Sequence, residues 1–216
     1  MTVATERASR VQPVVLEGRH VRLEPLALEH ARALLAAASG PRDTYGFTTV
    51  PPDEPSMLRY IEAALRDQEA GRALPFATVA KATGRVVGST RFGNIEYWAW
   101  PAGNPYQRGE DLPDVVEIGW TWLAAESQRT PINTEAKLLM LTHAFEAWRV
   151  HRVSLMTDAR NERSRRAIQR VGARFDGVIR AQRPGSDGTI RDTAAFSILE
   201  SEWPTVKRQL HSRLNQ

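Results

Sequence analysis

The apolar positions of this chain change their spacing several times, and each change marks an element. Val14 to Pro25 holds a Val-Arg-Leu-Glu alternation and predicts the first strand. Ala27 to Ser39, rich in alanine and leucine, predicts a helix that stops near Gly40-Pro41. An aromatic, proline-bearing loop over Thr44–Pro55 leads to a second helix, Ser56–Gly71, with Ser56 as the expected cap and glycine at the close. Leu74–Lys81 and Arg85–Ile95 are β-branched runs separated by Ala82-Thr83-Gly84, the pattern of a hairpin.

Glu96–Pro113 is a long insertion carrying Tyr97, Trp98, Trp100 and Tyr106 among prolines and glycines, a length that points to a functional loop. Beyond it the pattern predicts a strand at Val115–Leu123, a helix at Asn133–Arg149, a strand at Arg152–Thr157 and a helix at Asn161–Val171. Two strands follow, Arg174–Arg180 and Ile190–Leu199, joined around Gly185-Ser186-Asp187-Gly188. A last helix over Glu202–Leu214 tolerates Pro204 in its first turn. The order β-α-α-β-β-β-α-β-α-β-β describes one α/β domain over residues 14–216, a mixed sheet flanked by helices. Residues 1–13 lack an apolar core and read as a flexible tail rather than a secretory signal.

Composition narrows the chemistry. A chain of 216 residues is long enough for one self-sufficient core. It contains no cysteine, which excludes disulfides, thiol nucleophiles and cysteine zinc sites and is compatible with the cytoplasm, the expected location. The five histidines are scattered without metalloprotease spacing, so no metal is expected. No apolar run approaches the ~18–20 residues that span a bilayer, and no membrane partner is expected. The net charge of +4 owes much to Arg160, Arg163, Arg165, Arg166 and Arg170. That cluster suits a phosphate-bearing ligand or is simply a solvated helix face, and it matches no nucleic-acid motif.

The most informative stretch is Glu117 to Ala173. It contains two strand-to-helix junctions, Gln128-Arg129-Thr130-Pro131-Ile132-Asn133 and Asn161-Glu162-Arg163-Ser164. Two such junctions can aim backbone N–H groups and helix N-termini at one crevice, an arrangement suited to a long anionic ligand. In the second helix Ser164, Ala167, Ile168 and Val171 share one face, so Ser164 is the polar exception on an apolar stripe. A serine there also suits a bond back to its own helix turn.

These junctions resemble those of the acetyl-CoA-dependent GNAT-family N-acetyltransferases, in the RimJ/RimL-type branch. The resemblance runs from about Val14 to Leu199 and implies the acyl-CoA N-acyltransferase fold, a mostly antiparallel sheet flanked by helices. The family's Gln/Arg-x-x-Gly-x-Gly/Ala loop corresponds here to Gln128 through Asn133, with Pro131 in place of the first glycine. Proline removes one N–H, while Arg129, Thr130, Ile132, Asn133 and Thr134 still offer theirs, with Asn133 a strong cap type. The Asn-x-x-Ser…Gly-Ala pattern resembles the family signature that places Asn161 on the pantetheine arm and Ser164 near the sulfur. Arg163 and Arg166 would then meet phosphates. Where many relatives carry a tyrosine acid this chain has Ile168, leaving Ser164 or a water it holds.

The implied reaction is direct attack of a primary amine on the acetyl-CoA thioester, which agrees with the absence of a thiol nucleophile. Glu117 is the first candidate for base, through water, with Glu96 as the alternative; Glu117 could equally be a strand glutamate paired with an arginine. A backbone N–H near Trp122 or Leu123 would face the oxyanion. Family members commonly have a bulge in this strand, so alternation leaves the face of Glu117 open. Gly119 suggests a close approach. Trp98, Trp100, Trp120 and Tyr106 would wall the acceptor pocket, or serve as core or homodimer contacts. The acceptor is a protein or peptide N-terminus or a small amine. A non-catalytic acyl-CoA sensor is the alternative, and an RNA-associated protein a weaker third.

Overall fold

The computed structural model describes residues 11–109 and 111–216; the expected tail falls mostly outside these residues. Val11, counted with that tail, is buried against the core. Strand β1 (Leu16–Glu17) turns into β2 (Val21–Pro25), so the single strand expected over Val14–Pro25 is broken at Gly18-Arg19-His20. Helix α1 covers Ala31–Ala37 after a tight turn at Leu28–His30. Helix α2 covers Glu54–Glu69. Its cap is Asp53, not Ser56: the Asp53 carboxylate accepts the Ser56 N–H at 2.8 Å, and Pro55 fits the first turn, where no N–H is needed.

Strands β3 (Leu74–Ala80) and β4 (Arg85–Glu96) form the expected hairpin, and β5 spans Val115–Leu123 as expected. Helix α3 is Pro131–Thr142. It starts earlier than expected because Thr130, rather than Asn133, caps it, accepting the Ile132 N–H at 3.4 Å with Pro131 in the first helical position. Its end widens over His143–Ala147, where the Trp148 N–H reaches back five residues to the His143 carbonyl at 3.1 Å. Strand β6 (Arg152–Asp158), helix α4 (Glu162–Val171), strands β7 (Arg174–Pro184) and β8 (Ile190–Leu199) and helix α5 (Trp203–Leu214) complete the chain.

The eight strands lie in the order β1-β2-β3-β4-β5-β6-β8-β7, and every pair is antiparallel except β5–β6. Side-chain alternation feeds a separate core on each face. On one face Leu23, Phe76, Phe92 and Ile118 meet Met140 and Leu141 of α3 and Val206 and Leu210 of α5. On the other Ala77 and Trp122 meet Leu34 of α1 and Met57 and Ile61 of α2.

The parallel pair positions the site. Its register covers only Val115, Val116 and Glu117 against Arg152, Val153 and Ser154. Beyond Glu117 the two strands part. The divergence coincides with a bulge: Arg91 pairs with Gly119 and Ser89 with Trp122, so β5 carries one more residue than β4 across that interval. The extra residue is absorbed at Trp120, whose φ of 49° is left-handed. Among the described residues no helix is long and apolar enough to cross a membrane.

Candidate active site

Glu117 is the last residue of β5 still paired with β6, and it is 6% exposed. Its neighbours Val116 and Ile118 point into the α3 core, so the glutamate occupies the opposite face. One carboxylate oxygen accepts the Asn94 side-chain N–H at 2.6 Å. Burial pushes the Glu117 carboxyl above the usual glutamate range, opposed first by the Asn94 bond and then by the Arg183 and Arg191 charges. Glu117 forms no ion pair among the described residues. The carboxyl is thus buried, held by Asn94 and shifted toward its protonated form.

Gly119 is required by Glu117 itself. A Cβ at Gly119 would lie 2.9 Å from a Glu117 carboxylate oxygen, closer than side chains tolerate. Gly119→Ala should therefore displace the carboxylate from Asn94. The expected result is a roughly tenfold to hundredfold fall in kcat with CoA affinity retained, measured by steady-state kinetics and calorimetry. Unchanged kcat would detach the carboxylate's placement from turnover.

At the other end of the bulge the pairing parity separates two candidate donors. The Ala124 N–H donates to the Val87 carbonyl at 2.7 Å, and Trp122 pairs with Ser89. Alternation then turns the Trp122 N–H toward β4 and the Leu123 N–H and C=O away from it, toward the gap beside β6. The Leu123 carbonyl accepts from Tyr45 Oη and Gln128 Nε2, both at 3.0 Å. The Trp122 side chain is buried edge-on to Tyr45 and belongs to the α1–α2 core.

The junction residues gather at the mouth of the gap. Gln128 also bonds the Thr44 hydroxyl at 3.1 Å and accepts from Arg163 at 3.3 Å, while Arg163 donates to the Thr44 carbonyl. Arg129 takes a left-handed φ of 61°, which lets the chain turn into α3. Ile132, Asn133 and Thr134 lie in the first turn of α3, and the Asn133 Oδ1 is buried with no partner among the described residues. Asn161 caps α4 by accepting the Ser164 N–H at 3.0 Å. Ser164 is half-buried, and among the described residues its hydroxyl makes no bond back to the helix, whereas Ser39 makes one. Arg166 is exposed on α4, and Ile168 is buried.

The residues present suit a nucleotide thioester: two helix starts, an arginine, side-chain amides and a free strand edge surround one gap. A cavity of about 570 Å³ opens beside the α3 start, but Arg19, His20, Lys81 and Pro131 line it, on the β2–β3 side. The gap between β5 and β6 is defined by strand pairing and is separate from that cavity.

The expected aromatic wall is divided. Trp98 stacks on His151 at 5.8 Å, Trp100 donates to Asp114 at 2.7 Å and faces Tyr106, and Trp98 Nε1 holds Glu96 at 3.2 Å. These groups collect where β5 and β6 are still closed, because Asp114 draws in both the Trp98 N–H and the Trp100 indole. Trp120 stands apart from these rings in the bulge, filling the space that a side chain at Gly93 would need.

Three residues beneath this site gave no signal in sequence. Asn94 and Arg91 fall within the strand expected over Arg85–Ile95, with nothing to set them apart. Lys137 lies within the helix expected over Asn133–Arg149 and is buried, donating to Thr121 at 2.7 Å and Thr90 at 3.2 Å under the bulge. Burial lowers its amine to about 7. From pH 7 up to the ordinary lysine value of 10.5 the folded chain thus binds fewer protons here than the unfolded chain, so this group makes stability rise with pH across that window. Lys137→Met should remove that rise, read from melting curves at pH 7 to 10; an unaltered slope would show that the amine stays charged when folded.

Comparison with known proteins agrees with this architecture. A family model described as an acetyltransferase (GNAT) domain matches residues 20–174. The chain belongs to the GNAT acetyltransferase family, whose general chemistry is acetyl transfer. A GCN5-related N-acetyltransferase from Brucella melitensis is 30% identical with a TM-score of 0.79, over 94% of this chain and 86% of that one. RimJ of Mycobacterium smegmatis, in complex with CoA-disulfide, shares the fold at a TM-score of 0.70 and 24% identity, over 93% of this chain and 92% of RimJ. YdaF of Bacillus subtilis (strain 168), named provisionally as a ribosomal N-acetyltransferase, is 33% identical over 92 residues, 43% of this chain. That alignment spans 49% of YdaF, about half the length of the curated relative. These relatives agree with the RimJ/RimL-type resemblance.

Proposed function

We propose that this protein is an acetyl-CoA-dependent N-acetyltransferase that acetylates a primary amine by direct attack. One observation carries the reading: β5 and β6 separate immediately after a buried glutamate, at a gap met by two helix starts. The N–H groups of Arg129, Thr130, Ile132, Asn133 and Thr134 and the Arg163 side chain would hold the diphosphate, with Gln128 at its edge, and Asn161 the pantetheine arm. The bound thioester supplies an acyl carbon already activated toward amines.

The chain's own groups divide the remaining work. Glu117, through water, takes the ammonium proton that must leave before nitrogen can attack. The Leu123 N–H faces the developing oxyanion. Ser164, or water bound to it, supplies a proton toward the departing thiolate. The protein is proposed to act in the cytoplasm.

The test is thiol release from acetyl-CoA across a panel of amines. Amine-dependent release supports the proposal. Coenzyme A binding with no release from any amine would replace the enzyme with an acyl-CoA sensor.

A further inference from the structure

Arg91 is a buried cation that the catalytic reading leaves without a task. It lies on β4 and is 5% exposed, its guanidinium over the Tyr60 ring at 5.3 Å and the Trp120 ring at 5.1 Å. Among the described residues no carboxylate pairs with it, no hydrogen bond reaches its side-chain nitrogens, and Nε is wholly shielded. Taking a guanidinium out of water without a counter-charge is strongly unfavourable, and aromatic faces offset only part of that penalty. A fold that accepts the deficit suits a ligand that brings the missing anion.

A cavity of about 80 Å³ reaches Arg91, with Gly93, Asn94 and Trp120 in its wall. At about 30 Å³ per water it has room for two or three waters, or for one carboxylate and its first carbon. Asp67 also lines it, but its carboxylate is engaged by Arg72 at 2.8 Å. Asn94 is the side chain that holds Glu117, so the cavity and the proposed base share a residue. Gly93 stands opposite Glu117 and Arg91 opposite Gly119, two residues apart on one strand face, about 7 Å. Arg183 and Arg191 bear on Glu117 from β7 and β8, and neither forms an ion pair among the described residues. The charges that bear on Glu117 are thus those of Arg183 and Arg191, with Asp158 acting in turn on Arg191.

We propose that the acceptor is an amine carrying a carboxylate a few bonds away, the carboxylate docking on Arg91 as the nitrogen meets Glu117. This rests on the acetyltransferase reading and narrows it to a substrate class.

The experiment uses matched acceptors: α-, β- and γ-amino acids and their carboxamides, with thiol release as readout. At least one acid should exceed its amide roughly tenfold or more in kcat/KM, because a site built for a charged group rejects the analogue lacking it. Arg91→Met should raise KM for the acid and bring the ratio near one, and Arg91→Lys should restore part of it. The wild-type comparison decides the matter even where a variant folds poorly. Equal turnover of acids and amides would overturn the inference and leave acetyl transfer standing. Tryptophan fluorescence, titrated with the same acids in the presence of CoA, covers the case of no turnover. A saturable change with acids but not amides, absent in Arg91→Met, would support the anion site and overturn the enzyme reading. No turnover and no such change would overturn both.

Discussion

Glu135→Ala should destabilise the fold by about 3–5 kcal/mol, read from urea or thermal unfolding. The glutamate is buried in the second turn of α3, and its carboxylate receives three backbone N–H groups: Arg19 at 2.9 Å, His20 at 2.6 Å and Val21 at 2.8 Å. It thereby holds the turn between β1 and β2. Gly18 belongs to the same device, since a Cβ there would lie 2.4 Å from the Glu135 carboxyl carbon. Each bond to a charged acceptor is worth about 1.5–3 kcal/mol, and alanine strands three donors at once. Glutamine should not rescue fully, because its NH₂ would face N–H groups. The loss should reach function as well: the same helix start offers its amides to the proposed diphosphate site, so CoA affinity should fall with stability. A change below about 1 kcal/mol would mean that water replaces the carboxylate with little penalty.

That staple shows where the sequence is legible and where it is not. Val115–Leu123 has the same limits in sequence and structure, because a run rich in β-branched and aromatic residues lies between Pro113-Asp114 and Ala124-Ala125. Helix α4 was equally clear, its apolar stripe leaving Ile168 and Val171 buried and the arginines outside. Helix starts were misplaced where two capping residues lie within one turn. Asp53 outranks Ser56, and Thr130 outranks Asn133, because in each case a proline one or two residues after the first candidate sits in the first helical turn. The helix expected to reach Arg149 ends instead in a widened turn, and Arg149 has a φ of 58°.

The site is less legible than the fold. Glu-Ala-Lys at 135–137 lies within the helix expected over Asn133–Arg149 without any mark of burial, yet both charged residues are buried, each by partners more than fifteen residues away. Periodicity assigns a face only by assuming that charge faces water. The bulge has no local signature beyond Gly119, and it alone determines which strand amides face the gap. The position of the aromatic insertion is hard to read for a related reason: tryptophan content marks a cluster, but Asp114 and His151 determine where it forms.

Glu117→Gln should reduce kcat by roughly a hundredfold to ten-thousandfold while CoA affinity stays near wild type. The amide keeps the size of the side chain and can still hold an oxygen toward Asn94, so geometry is conserved and proton affinity is lost. The pH profile separates this from a structural effect. Burial raises the Glu117 carboxyl, so in the wild type the rate should fall as pH drops through that raised value and protonates the base. The residual activity of Glu117→Gln should lack that limb. Stability should move the other way. A carboxyl whose folded pKa exceeds its unfolded one contributes stability at low pH and loses it as pH rises through the folded value. At neutral pH the wild type carries the unfavourable charged form, and the neutral amide avoids it. Glu117→Gln should therefore melt at or above the wild-type temperature at pH 7 while turning over far more slowly. A variant that lost both stability and turnover would return Glu117 to the role of a strand glutamate holding Asn94, and the base would have to be sought elsewhere.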